Sequence, residues 1–168
     1  MKHIKSYKLF ESLSEQRLYH FTNLKNALKI IGDNSIIRGD YHLLNGKEVR
    51  TLSLTRNPNL ISINNSSDVI FCINKDILKT KFKIYPYDYF IVNKREYEKK
   101  FSPNRVEPFE YEEALDKDII NLNKYLLYIN FDDINYIKSN LENIKKYSNE
   151  YKIQIRVKNK IININGDL

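Results

Sequence analysis

Leu18-Tyr19-His20-Phe21-Thr22-Asn23-Leu24 is the stretch on which the reading of this chain turns. Its first five residues are short, alternating and aromatic, which predicts a β-strand. In a strand, Leu18, His20 and Thr22 share one face, and Tyr19 and Phe21 share the other. Asn23 is placed to cap a helix carrying Leu24, Ala27, Leu28, Ile30 and Ile31 at helical spacing. Gly32 is the expected end of that helix. A histidine among aromatics in a core strand must hydrogen-bond something. Two readings stand side by side: a structural histidine held by a backbone carbonyl, or a ligand contact.

Working outward, residues 1–16 read as a separate leader, either a short docked helix or a loose arm. Residues 17–168 are expected to form one domain. Asp33 to Glu48 is polar and contains Gly39 and Gly46, which predicts a loop with a short element. Val49 to Thr55 and Val69 to Ile73 are expected strands, the second fully buried. Asn74 is a further cap, for a short helix through Lys79, and Phe82 to Tyr85 reads as a strand ended by Pro86. Lys94 to Pro108 is a charged loop. Glu110 to Leu115 and Tyr125 to Phe131 have strand character. Ile134 to Tyr147 reads as one amphipathic helix, with Ile134, Ile137, Leu141 and Ile144 on its apolar face. Ile153 to Val157 and Ile161 to Ile164 form a hairpin around Lys158-Asn159-Lys160. The fold class is therefore α+β with largely antiparallel strands.

Composition excludes several classes of protein. The 168 residues are 42% hydrophobic, enough for one core. No apolar run reaches the roughly 18–20 residues that span a bilayer, so a soluble protein with no membrane partner is expected. The start, Met1 to Lys8, alternates charged and apolar residues and lacks a secretory pattern. A cytoplasmic location, or carriage inside a particle, follows as an expectation. Cys72 is the only cysteine, which rules out an internal disulfide and a thiolate cluster. It sits in a buried run and reads as a core thiol. The net charge of +7 favours polyanionic partners, but the excess is spread along the chain. There is no Gly-rich phosphate loop, no His-Glu-x-x-His and no Gly-x-Ser-x-Gly elbow, and no zinc or magnesium site has support.

Two further segments have chemistry to offer. In Leu52-Ser53-Leu54-Thr55-Arg56, Ser53 and Thr55 share a strand face, and Arg56 stands at the strand end. Such a set can bond a sugar and a phosphate, or it can be an ordinary half-buried strand with a solvated arginine. In Glu107 to Leu115, carboxylates crowd an aromatic segment. Glu110 and Glu112 would share one face, and Tyr111 and Glu113 the other. A carboxylate in a cleft can stabilise a sugar cation, whereas a solvated acidic loop does nothing.

These three pieces in this order resemble ADP-ribosyltransferase-like families. Leu18 to Leu24 and the helix after it are similar to the opening of DNA-targeting ADP-ribosyltransferase toxins and RNA 2′-phosphotransferases. Leu52 to Arg56 resembles the second motif of a small phage-encoded group. Glu110 to Leu115, followed by Ile119 to Phe131 with Lys124-Tyr125, resembles that group's third motif. The resemblance covers roughly residues 17–165. It implies a split, mostly antiparallel sheet with flanking helices and a central NAD cleft. By analogy, His20 bonds a ribose hydroxyl of NAD, and Tyr19 or Tyr41 stacks on the nicotinamide. Thr22 joins this NAD-contacting strand, Ser53 and Thr55 shape the cleft floor, and Arg56 neutralises the pyrophosphate. A glutamate bonds the nicotinamide-ribose 2′-hydroxyl. Toxin families place it before a small-apolar–Leu pair, which ranks Glu113 first. Ala114 departs from the Glu-Glu-Arg of the phage group, so Glu112 and Glu110 remain candidates.

The implied function is NAD-dependent ADP-ribosylation of a macromolecule, host protein or nucleic acid, by a phage-encoded protein. The expected location is the host cytoplasm or the virion. Two other readings stay open. One is a non-catalytic nucleotide- or protein-binding protein on the same scaffold. The other is an RNA-cleaving toxin using His20, Arg56 and Glu113.

Overall fold

The computed structural model describes residues 16–44, 47–56, 58, 67–86 and 112–166, with only the backbone described for 40–48, 85–86 and 112. The leader up to residue 15, the Lys94–Pro108 loop and Glu110 lie outside these residues.

Strand β1 (Arg17–Thr22) forms where the alternating aromatic stretch predicts it. Helix α1 (Leu24–Asp33) follows, and the Asn23 side chain accepts from the Asn26 N–H at 2.8 Å, as its capping role requires. Gly32 does not end this helix. The helix runs one residue further, and Asn34 takes the left-handed conformation with φ 47°. A non-glycine residue is tolerated there because its side chain is tied down. Asn34 Oδ1 accepts from Asn123 N at 3.0 Å and from the Tyr147 hydroxyl at 2.8 Å. Its Nδ2 donates to Asn123 Oδ1 at 2.7 Å.

The expected loop after this helix contains two strands instead, β2 (Ser35–Ile36) and β3 (Asp40–Leu44). Strand β4 (Lys47–Thr55) starts two residues earlier than its apolar pattern indicates, because it pairs with β3 from Lys47 onward. Cross-strand partners, which lie far from any local signal, supply that pairing. Strand β5 (Val69–Asn74) takes the middle of the sheet, and Phe71, Cys72 and Ile73 have no exposed surface. Its unbroken apolar run suits a strand covered on both faces. Asn74 caps helix α2 (Lys75–Leu78), accepting from Ile77 N at 3.0 Å.

Phe82 to Ile84 are not strand. Phe82 turns its ring onto Tyr125, and only β6 (Tyr85–Pro86) pairs. Pro86 lies in this strand rather than after it, which a sheet edge permits. Strand β7 (Glu112–Leu115) lies between β6 and β4. Strand β8 (Ile119–Ile120) pairs with β2 in a separate two-stranded ribbon. Strand β9 (Leu126–Phe131) occupies the expected apolar stretch.

The predicted 134–147 helix is two helices, α3 (Ile134–Lys138) and α4 (Leu141–Tyr151). Asn140 breaks it, with φ −133° and its Nδ2 donating to the Tyr136 carbonyl at 3.0 Å. Side-chain bonding to the backbone thus outcompetes helix continuation. Strand β10 (Gln154–Val157) runs parallel to β9, and β11 (Lys160–Ile161) closes the hairpin. The turn is the two residues Lys158 and Asn159, both at positive φ, as a tight hairpin demands. The second hairpin strand stops at Ile161 rather than Ile164.

Among the described residues the main sheet has the order β11-β10-β9-β5-β1-β4-β7-β6, with β3 also paired to β4. All its pairings are antiparallel except β9–β10. One cluster of buried side chains extends from Leu18 to Ile164 and takes in Ala27, Ile31, Leu78, Ile137 and Ile144. The helices therefore pack on the sheet face that carries Leu18. Each fully buried leucine, isoleucine or phenylalanine there contributes about 1.5–3 kcal/mol. A smaller cluster of Tyr19, Cys72 and Tyr128 lies on the opposite face.

Candidate functional site

The sheet is weakest between β1 and β4. Among the described residues their ladder consists of one register pair, Tyr19 with Thr55. By contrast, β1 pairs with β5 along its whole length, from Arg17 with Asn74 to Thr22 with Val69. A groove of about 340 Å³ opens where β1 and β4 part. His20, Phe21 and Thr22 line it from β1, Leu52 and Ser53 from β4, and Asn26 and Lys29 from α1. The segment after α1 closes it with Ile36, Ile37 and Gly39.

His20 joins the two walls. Its Nδ1 lies 3.3 Å from the Ser53 carbonyl oxygen, which can only accept, so Nδ1 carries the proton. In the neutral ring Nε2 is then an acceptor. The carbonyl-held histidine and the groove-lining histidine are thus the same residue.

The strand pairings distribute the other sequence candidates over two faces. Tyr19 opposite Thr55 puts both on the face with Cys72 and Tyr128, away from His20. Tyr19 is 5% exposed and packs into that smaller cluster. Thr55 is buried on the same side. Neither lines the groove; His20 and Thr22 do from the other face, and so does Ser53, although it shares Thr55's strand face. Tyr41 belongs to β3, and its side chain is outside the description, as is that of Glu112.

Glu113 lies on the helix-covered face and, like Arg56 and Lys75, is not among the residues that line the groove. It pairs with Leu54, so its side chain shares a face with Leu52, Leu54 and Leu115. Arg56, two residues beyond Leu54, falls on this face too. The Glu113 side chain is 10% exposed, and its Oε1 accepts from Lys75 Nζ at 2.6 Å. Arg56 Nε stands 3.3 Å from the same oxygen. Glu113 Oε2 is buried and has no hydrogen-bond partner among the described residues. A buried carboxylate oxygen left unpaired costs about 1–3 kcal/mol and calls for a ligand or a water.

Lys75 was not among the residues singled out by sequence. The available signal was electrostatic. A cation in the first turn of a capped helix opposes the helix dipole, so Lys75 directly after Asn74 is a local misfit. Asn26, Lys29 and Ile37 carried no such signal, and folding alone brings them to the groove. Among the described residues no three His, Cys, Asp or Glu side chains gather into a metal set.

A helix-backed, mostly antiparallel sheet split by a groove is the ADP-ribosyltransferase type of α+β fold. The chain is similar in structure to DarT of Thermus sp. 2.9, solved in complex with carba-NAD+. The match has a TM-score of 0.51 at 10% identity and covers 84% of this chain and 94% of that one. No family model matches the sequence, and no curated protein matches it.

Proposed function

We propose that this protein binds NAD in the groove between β1 and β4 and transfers its ADP-ribose to a macromolecular acceptor. The observation that carries the reading is the Glu113 carboxylate, buried, held by two cations through Oε1, with Oε2 unpaired among the described residues; Glu113 is not among the residues that line the groove, so in this reading bound NAD extends from the groove to reach it. The fold it shares with a protein solved in complex with carba-NAD+ supports the choice of ligand.

In this reading Oε2 accepts a hydrogen bond from the 2′-hydroxyl of the nicotinamide ribose. That bond strengthens as positive charge develops on the ring, so it lowers the barrier. The bond from C1′ to the nicotinamide nitrogen breaks, and its electron pair goes to that nitrogen. Nicotinamide leaves neutral. A nucleophile of the acceptor forms the new bond to C1′ and releases its proton to solvent. His20 contacts a ribose hydroxyl from the groove wall. Arg56, beside Glu113, meets the pyrophosphate.

The test uses NAD labelled in its adenylate half, with host lysate, DNA or RNA as acceptor. Label transfer and nicotinamide release by the wild type, both lost in Glu113→Gln, are the expected results. Folded wild type that leaves NAD intact with every acceptor sinks the proposal. Tight binding of NAD without consumption would instead identify a nucleotide-binding protein.

A further inference from the structure

We infer that Lys75 is the positioning residue of the site: it holds Glu113 through one oxygen so that the other faces the substrate. The inference rests on the reading of Glu113 given above and goes beyond it by naming the group that makes that carboxylate competent.

The two oxygens of Glu113 have different surroundings. Oε1 has the Lys75 ammonium at 2.6 Å and the Arg56 Nε at 3.3 Å. Oε2 is buried with no hydrogen-bond partner among the described residues. Charge-assisted hydrogen bonds are short and about twice as strong as neutral ones, so the 2.6 Å contact is the stronger of the two constraints on the carboxylate. It decides which oxygen is left to accept from a substrate hydroxyl.

Lys75 is fixed at the other end by the backbone. Its N–H donates to the Gln16 carbonyl at 2.9 Å, and it follows the capping residue Asn74 directly. Asn74 pairs with Arg17, so α2 begins against the first residue of β1. Glu113 pairs with Leu54, on the far side of β4 from β1. The Lys75–Glu113 bond therefore spans the junction between the half-sheet of β1 and β5 and the half-sheet of β4 and β7.

Lys75 does not touch the reacting atoms in this arrangement. Its loss should lower turnover through misplacement of Glu113, while NAD binding by the groove residues survives. A misplacement of about 1 Å can cost a hundredfold in rate.

The experiment compares wild type, Lys75→Met and Lys75→Arg in steady-state NAD cleavage, with melting temperature and NAD affinity measured on each. Lys79→Gln, in an exposed pair with Asp76 on the same helix, controls for loss of surface charge. The expected result is a kcat for Lys75→Met lower by about a hundredfold with KM changed less than about threefold. Lys75→Arg should recover a substantial part of kcat, because it restores a cation to Oε1. Equal losses in Lys75→Arg and Lys75→Met, or a change confined to KM, would overturn the inference. Should Lys75→Met fail to fold, a folded Lys75→Gln with wild-type kcat would also overturn it. Active wild type with an indifferent Lys75 defeats this inference alone, whereas inactive wild type defeats the proposed function and this inference with it.

Discussion

Tyr19 and Thr55 form the one described register pair between β1 and β4, and the groove opens beyond it. A continuous ladder there would fill the space with paired backbone. One pair holds the half-sheets together and leaves the rest of the two strand edges to serve as walls. The His20 bond to the Ser53 carbonyl then bridges those walls at a second point.

Replacing His20 with alanine removes that bridge and, in the proposed function, a ribose contact. NAD affinity should fall about tenfold, as the loss of one hydrogen bond to ligand implies, and stability by about 1 kcal/mol. Titration calorimetry and denaturant melts check the two numbers separately. Unchanged affinity with lowered stability would assign His20 to the fold alone.

Asn34→Ala should be among the most destabilising single changes, by about 2–4 kcal/mol. It loses hydrogen bonds to Asn123 and Tyr147 and leaves the β-carbon at positive φ without the side-chain bonds that hold it there. Asn34→Gly loses the same bonds but not the conformational preference, so it should cost less. Urea unfolding of the two variants gives the order; Asn34→Gly as the worse of the pair would refute the argument.

Asp118 links the segment after α1 to β8. Its Oδ1 accepts from the Arg38 backbone N–H at 2.8 Å and from Arg38 Nε at 3.0 Å. The backbone hydrogen bond first, then the guanidinium, holds its carboxyl below the usual carboxylate range against a partial desolvation. A lowered folded pKa means that the contribution is present above the unfolded value of about 3.9. It is lost as pH falls through the folded value. Asp118→Ala should therefore be less stable than wild type at pH 7, and the difference should shrink as pH falls below about 3.9. A difference that persists undiminished in strong acid would show that ionisation is not its source.

Tyr147 and Tyr128 are two of the buried groups that make the fold sensitive to alkali. Burial pushes both phenols up, reinforced at Tyr147 by Tyr151 and Glu150 and at Tyr128 by Cys72. Between the ordinary phenol value near 10 and the raised folded one, the unfolded chain has lost the proton that the folded chain keeps. Stability then falls by about 1.4 kcal/mol per pH unit for each buried phenol. Tyr147→Phe should melt lower at pH 8, having lost the bond to Asn34, yet lose less with rising pH above 10. Parallel stability curves for variant and wild type would contradict this.

Much of the fold was legible because its signals are local. The alternation of Leu18 to Thr22, the apolar run of Val69 to Ile73 and the caps at Asn23 and Asn74 each act within a few residues. The misreadings have one kind of cause. Gly32 lost the helix end to Asn34 because Asn123 and Tyr147, distant in sequence, reward the asparagine. Strands β2 and β3 were read as a loop with one short element because their partners supply the pairing. Asn140 broke an amphipathic pattern that remained in phase across the break.

The site divides in the same way. His20, Ser53, Arg56 and Glu113 were singled out from the order of their motifs, since polar groups at strand ends and in core strands stand out against an apolar pattern. That Glu113 belongs with Arg56 follows from β4 and β7 pairing Leu54 with Glu113, a register no single strand encodes. The same pairing rules send Tyr19 and Thr55 to the opposite face. The opening stretch, Leu18 to Leu24, by itself determined a strand, a cap and a helix, through residue geometry and local hydrogen bonding. Only the tertiary structure decided that His20 faces a groove and that Lys75 holds Glu113. Both depend on where β4, β5 and β7 meet, and that meeting is settled by burial of the common core rather than by any short run of residues.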